Sequence, residues 1–355
     1  MSLRVPLVAA ALLCATLLFQ DAAWAGNDPL AGGTTRLAMD KRFARLLAAN
    51  GVKLTAKAGA RRRGRSLLLP VSGGSLDPTI ERGVIENSGT LIFRHGRRRV
   101  VVRTVEVKTK REPLVAKVGG SQLKIARAGR VSFERAGFGS AFTARPLRLT
   151  AKFATRLGKK LRLRGVFEVG QMLGGLRTEA SPATLAVLPV GGATFTPAPD
   201  FVSKLDSLFV SLNPIAPMQR GAGPVFSAPM AAEGTIAPDA SAGVPRTAGG
   251  LEFLQLGSGQ VFWRDPWLDL AAHQLLADVD VEPSPTLPGK VGRVAVAALG
   301  AGAATSDPGT RAISLSAAPL VLTPDTAAYF NEAFNTDRFQ AGEPIGSISL
   351  SAQTQ

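Results

Sequence analysis

The stretch Ser88–Val102, "SGTLIFRHGRRRVVV", sets His95, one of only two histidines in the 355-residue chain, among Arg94, Arg97, Arg98 and Arg99. A neutral imidazole can ligate a metal through one ring nitrogen while an acceptor fixes the other. The guanidinium is a planar fork that matches carboxylate geometry. On residue type alone, His95 is a candidate ligand within a basic cluster. The same residues also suit a solvated β-turn whose side chains face water. Both readings stand at this level. The other histidine, His273 in "LDLAAHQLL", reads as an ordinary half-buried residue on a strand or short helix.

Catalysis finds little to work with. There is no histidine cluster, no G-x-S-x-G elbow and no phosphate-cradling glycine loop. The paired carboxylates of "DVDVE" (Asp278–Glu282) alternate along an apparent strand and so share one solvated face. The inventory points to a binding protein and not to an enzyme.

Export is written at the start. "MSLR" carries one positive charge, "VPLVAAALLCATLLF" is apolar but interrupted by Gln20 and Asp21, and "AWA" before Gly26 has the small-x-small form of a cleavage site. Residues 1–25 are expected to be a signal peptide, leaving a soluble protein that is secreted or associated with the cell envelope. Cys14, the single cysteine, leaves with it, so the mature chain can form no disulfide and no thiolate metal site.

Charge then divides the chain. Residues 1–190 hold 34 Lys and Arg against 11 Asp and Glu, a balance of +23, whereas the remainder holds 8 against 15, a balance of −7. Yet the halves look like copies. "RPLRLTAKFATRLG" from Arg145 lies over "APLVLTPDTAAYFN" from Ala318, Phe167, Gly170 and Gly174 match Phe339, Gly342 and Gly346, and "GVIENSGTLIF" (Gly83–Phe93) lies over "GVPRTAGGLEF" (Gly243–Phe253). Pro70 and Pro229 fall nearly in step. The pattern predicts a tandem duplication: a linker at 26–33, a basic domain at 34–187, a second linker at 188–199 where glycine and proline accumulate, and an acidic domain at 200–352.

Each copy should open with a short helix, "DKRFARLLAANGV" and "PDFVSKLDSLFVSL", and continue as strands. In "RRRVVVRTVEVKTK" the alternation places Val101, Val105 and Val107 on one face and Thr104, Glu106, Lys108 and Lys110 on the other. "LVAKVGGSQLKIA" predicts a hairpin turning at Gly119 and Gly120. In "LTPDTAAYFNEAF", Thr323 is the expected N-cap and Pro324 the first helical residue. The fold class is mostly β: two tandem antiparallel β-sandwich-like domains with a few short helices.

These landmarks resemble the heme-transport-associated HtaA domain family of exported and surface proteins. The resemblance is carried by Gly89, Leu91, Phe93, His95 and Gly96, by a strand ending near the "DP" pair of "WRDPWLD" (Trp263–Asp269), and by the closing pattern of Leu322–Gly346. It implies heme as the ligand, with a tyrosine from the opening helix on the iron and a histidine in support. Phe43 and Phe201 occupy the aromatic positions of the opening helices, however, and the only tyrosine, Tyr329, belongs to the closing helix of the second copy. The family histidine is kept as His95 and replaced by Gln255. The resemblance therefore places any heme in the first domain, with His95 at the iron and Arg94, Arg97, Arg98 and Arg99 on the propionates.

A different expectation follows from the basic runs "ARRRGR" (60–65), "RHGRRR" (94–99), "KTKR" (108–111) and "RLGKKLRLR" (156–164). They could hold an anionic cell-wall polymer or a phospholipid surface by counterion release. Nucleic acid is disfavoured by export and by the lack of aromatic residues for base stacking.

Overall fold

The computed structural model describes residues 27–109, 114–257, 259–281 and 289–355. The expected signal peptide, Lys110 and Arg111 of the third basic run, and Glu282 lie outside these residues.

Alternating apolar residues dominate the first half and fold it into ten antiparallel strands: β1 (Asp28–Met39), β2 (Lys53–Lys57), β3 (Arg61–Arg63), β4 (Ser66–Asp77), β5 (Arg82–His95), β6 (Arg98–Lys108), β7 (Leu114–Val118), β8 (Ser121–Ala136), β9 (Gly139–Leu149) and β10 (Met172–Pro182). Their order is β2-β5-β6-β7-β8-β9-β10-β1-β4-β3, and β4 also pairs with β5. That last pairing closes eight strands into a barrel, which removes the exposed edges of an open sheet. The two layers anticipated as a sandwich are opposite walls of this rolled sheet. The alternate residues Leu67 and Leu69, and Leu37 and Met39, fill the interior.

Two helices plug it. Asp40 caps α1 (Lys41–Ala49) by accepting from the Arg42 and Phe43 amides, and Phe43 and Leu47 face inward. Thr150 caps α2 (Ala151–Leu161), which buries Phe153, Ala154, Leu157 and Leu161. Each cap contributes about 1 kcal/mol by satisfying amides the helix leaves open.

The second half repeats the design with β11 (Leu185–Pro197), β12 (Val210–Ile215), β13 (Gln219–Arg220), β14 (Phe226–Pro229), β15 (Thr235–Ile236), β16 (Gly243–Val244), β17 (Gly250–Gln255), β18 (Gly259–Asp269), β19 (Gln274–Val281), β20 (Lys290–Leu299), β21 (Ala303–Asp307), β22 (Ala312–Leu322) and β23 (Pro344–Thr354), and with α3 (Pro199–Ser207) and α4 (Pro324–Ala333). The order β12-β17-β18-β19-β20-β22-β23-β11-β14-β13 repeats that of the first half. Closure is looser, because Pro229, Pro238 and Pro245 lack the N–H a ladder needs. Short β15–β16 pairing and a Met230–Thr247 bridge replace the continuous β4–β5 ladder. Thr323 caps α4, with Pro324 in its first turn, as expected.

The glycine-rich segments expected as linkers are strands. Residues 28–33 belong to β1, and residues 188–197 belong to β11, running almost directly into α3. Glycine is required there by close approach and not by flexibility: a β-carbon on Gly33 would lie 2.1 Å from the Glu179 carbonyl oxygen, and one on Gly191 would lie 2.1 Å from that of Ser351. Gly174 and Gly346, matched in the sequence, share the same reason. Each adopts a positive φ where a β-carbon would strike the opening strand of its own barrel.

Strand parity also departs from simple alternation. In β6 the buried residues are Val100, Val102, Val105 and Val107, while Val101 lies on the other face. Thr104 takes a left-handed conformation at a bulge and resets the phase. The matching position in β18 is Asp265, also left-handed, so this strand passes through the Asp265–Pro266 pair instead of ending there.

The barrels touch. Phe138, in the β8–β9 turn, packs on the second core. Arg311 donates to the Gly137 carbonyl at 2.7 Å, and a β-carbon on Gly137 would lie 2.8 Å from the Pro308 β-carbon. Among the described residues no helix is long and apolar enough to cross a membrane.

Candidate functional site

The β5–β6 hairpin brings the five candidate residues to one corner of the first barrel. Arg94 is paired opposite Arg99, His95 is paired opposite Arg98, and Gly96 and Arg97 form the two-residue turn. Lys53 of β2 lies on the other side of Arg94, so three cations share one cross-strand row. All four arginines are exposed. Arg94 donates through Nε to the Gly96 carbonyl at 2.9 Å, which steadies the turn and leaves its terminal nitrogens open. None of Lys53, Arg94, Arg97, Arg98 and Arg99 forms an ion pair with a described residue. Like charges directly across a ladder repel, so this row costs stability while nothing neutralises it.

His95 is half-buried, and its Nδ1 lies 3.0 Å from the carbonyl oxygen of Leu161, the last residue of α2. A carbonyl only accepts, so Nδ1 carries the hydrogen and Nε2 holds the lone pair in the neutral ring. A β-carbon on Gly51 would lie 3.7 Å from Cδ2, which places the ring beside the backbone leaving α1. The sequence did not reveal this anchoring by Leu161, because a carbonyl 66 residues away has no sequence signature.

The barrel interior is already filled. The void between Phe43, Phe93 and Phe153 is about 30 Å³, whereas sites for small molecules and cofactors run to about 300–1,000 Å³. Phe43 and Phe201, which stand where the resemblance expects a tyrosine, are themselves core residues, 1% and 0% exposed. That void has no room for a large planar ligand, and neither position offers an aromatic hydroxyl. Tyr329 does not replace it. The residue packs against the second core, and burial, then the neighbouring Asp325 charge, push its hydroxyl above the usual range, away from phenolate.

The corresponding corner of the second barrel has diverged. Gln255 donates to the Leu208 carbonyl at 2.6 Å, at the end of α3. The positions matching Gly51 and Gly96 are Phe209 and Leu256, 87% and 85% exposed. His273, expected to be half-buried, is an exposed turn residue with φ 54°, because β18 and β19 end on either side of it. Asp278 and Asp280 are used structurally, in ion pairs with Arg293 at 2.6 Å and Arg264 at 3.3 Å.

Comparison with solved structures returns proteins of Corynebacterium glutamicum. The chain is similar to the N-terminal domain of HtaA at 17% identity and a TM-score of 0.35, over 46% of this chain and 97% of that one. It is similar to the C-terminal domain of HtaA at 12% identity and a TM-score of 0.34, over 43% and 98%. The heme binding protein HtaB aligns at 10% identity and a TM-score of 0.32, over 48% and 95%. No family model and no curated protein matches the sequence.

Proposed function

We propose that the protein is an exported, non-catalytic binding protein of the cell envelope whose first barrel takes heme at the His95 corner. The observation that carries this reading is the fixed imidazole: the Leu161 carbonyl occupies Nδ1 and leaves Nε2 as the ligating atom. Arg94, Arg97, Arg98 and Arg99, exposed and without acidic partners, supply forks for two propionates. The resemblance read in the sequence points to the same histidine. With Phe43 buried in place of a tyrosine, the protein ligand is imidazole alone, which predicts modest affinity. An absorption titration with hemin tests this: wild type develops a Soret band whose maximum and midpoint change in His95→Ala. A spectrum and midpoint unaltered by that substitution would return His95 to the role of a turn residue latched to α2.

A second reading is favoured by the exposed cations of the first barrel that make no ion pair with a described residue, Lys41, Lys53, Arg65, Arg94, Arg130 and Arg145 among them. In it that barrel holds the protein against anionic envelope material, and the interaction weakens steeply with salt.

A further inference from the structure

Away from the His95 corner, β1, β8, β9 and β10 form an open groove of about 1130 Å³. Gly174 and Gly175 lie in its lining and contribute backbone without side chains. Lys41, Arg65, Arg130, Arg145 and Arg177 surround it. Arg130 and Arg145 are paired directly across β8 and β9, two like charges held side by side. Arg177 is ion-paired with Glu179 at 2.9 Å, but Lys41, Arg65, Arg130 and Arg145 make no ion pair with a described residue. Of the acidic residues in the lining, Asp40 is occupied capping α1, and Glu134 is the other. Val131 and Met172, 40% and 38% exposed, add apolar contact.

The duplication supplies an internal control. Gly174 pairs with Met39 of β1 and Leu147 of β9, and Gly346 pairs with Pro197 of β11 and Leu320 of β22, which aligns the two faces residue by residue. Lys41 then corresponds to Pro199, Arg145 to Ala318 and Arg177 to Ser349. The same strands are built without a charge at any of these places, so the fold does not need the cations. They cost repulsion in the first barrel, and a ligand that neutralises them accounts for their presence.

We infer that this groove is a binding site for an extended polyanion, a polymer bearing a phosphate or carboxylate on each repeat. A single small anion is held by donors converging in an enclosed pocket. Here the cations are strung along an open trough, the arrangement that tracks a charged chain. Lys41 and the residues beside His95 lie at opposite ends of α1, about 13 Å of helix apart, so the groove and the His95 corner are separate sites. The assignment rests on the second reading above, and not on the heme reading.

The test uses fluorescent long-chain polyphosphate and polygalacturonate with the mature chain, followed by anisotropy over a salt series; the two probes separate phosphate from carboxylate recognition. Arg130→Ala/Arg145→Ala is expected to weaken binding of the preferred polymer at least tenfold and to lower the slope of log K against log salt by about 1 per cation removed. Arg94→Ala/Arg99→Ala removes the same charge elsewhere and should change affinity less than threefold. Lys41→Ala/Arg65→Ala, both exposed positions, gives an independent groove variant should the first fail to fold. Equal weakening by the groove and hairpin pairs would overturn the site while leaving the charge reading intact. Tighter binding of a single-stranded oligonucleotide, or binding of anionic phosphatidylglycerol vesicles without either polymer, would overturn the ligand class. Binding of none of these would remove the charge reading as well.

Discussion

His95 and its arginines were legible as a cluster because they are contiguous in sequence. What they do depends on partners that are not. The Leu161 carbonyl fixes the imidazole, and Lys53 extends the row through Arg94 and Arg99. The repulsive row yields a prediction about stability. Arg99→Thr should raise the unfolding free energy by about 0.5 kcal/mol at low salt by relieving like-charge opposition, and the gain should vanish in 1 M salt, where screening reaches only about 3 Å. Denaturant unfolding at the two salt concentrations measures it. A loss of stability at low salt would mean that the row is held by contacts beyond charge. Of the five groove cations only Arg65 lies in one of the basic runs; Lys41, Arg130, Arg145 and Arg177 come from widely separated segments that meet only in the folded barrel. One signal was present, since "RPLRLT" over "APLVLT" replaces Arg145 by Ala318 and Arg148 by Val321.

At the scale of elements, the repeat was readable because its landmarks have physical causes that both barrels share. Thr150 and Thr323 cap equivalent helices, Phe93 and Phe253 fill equivalent core positions, and Gly174 and Gly346 sit where the opening strand leaves no room for a side chain. Gly174→Ala and Gly346→Ala should each destabilise their barrel by more than about 2 kcal/mol, combining overpacking with a strained φ. Thermal unfolding checks this, and a loss below about 0.5 kcal/mol in either variant, within the range of surface changes, would contradict the close-approach account. Alternation misleads where one residue changes the meaning of many: the left-handed Thr104 reverses the face expected for Val101, and the glycines of the segments expected as linkers mark close strand approaches.

For the whole molecule, the contact between barrels introduces a pH dependence. Asp28 is buried where they meet, and burial raises its pKa from 3.8 to about 6, against the lowering effects of a hydrogen bond from the Ala186 backbone and the charges of Arg311 and Arg135. Arg311 in turn is shifted below its usual range, first by burial and then by Arg135. A carboxyl whose pKa is higher folded than unfolded stabilises the fold most when it is protonated. Its contribution is complete below pH 3.8 and is lost as pH rises through about 6. Asp28→Asn should therefore gain on wild type by about 3 kcal/mol between pH 3.5 and 7.5, read as the difference of their unfolding free energies. A pH-independent difference would show that Asp28 titrates normally.

One fold is built twice, and on the proposed reading only the first copy keeps the histidine, as His95 against Gln255. The amount of hemin bound per chain tests this most directly, measured by spectroscopic titration of the mature protein with His95→Ala and Gln255→Ala alongside. One hemin per chain is predicted, bound normally by Gln255→Ala and weakened at least tenfold in His95→Ala. Two equivalent hemins per chain, or one whose binding survives loss of His95, would contradict it.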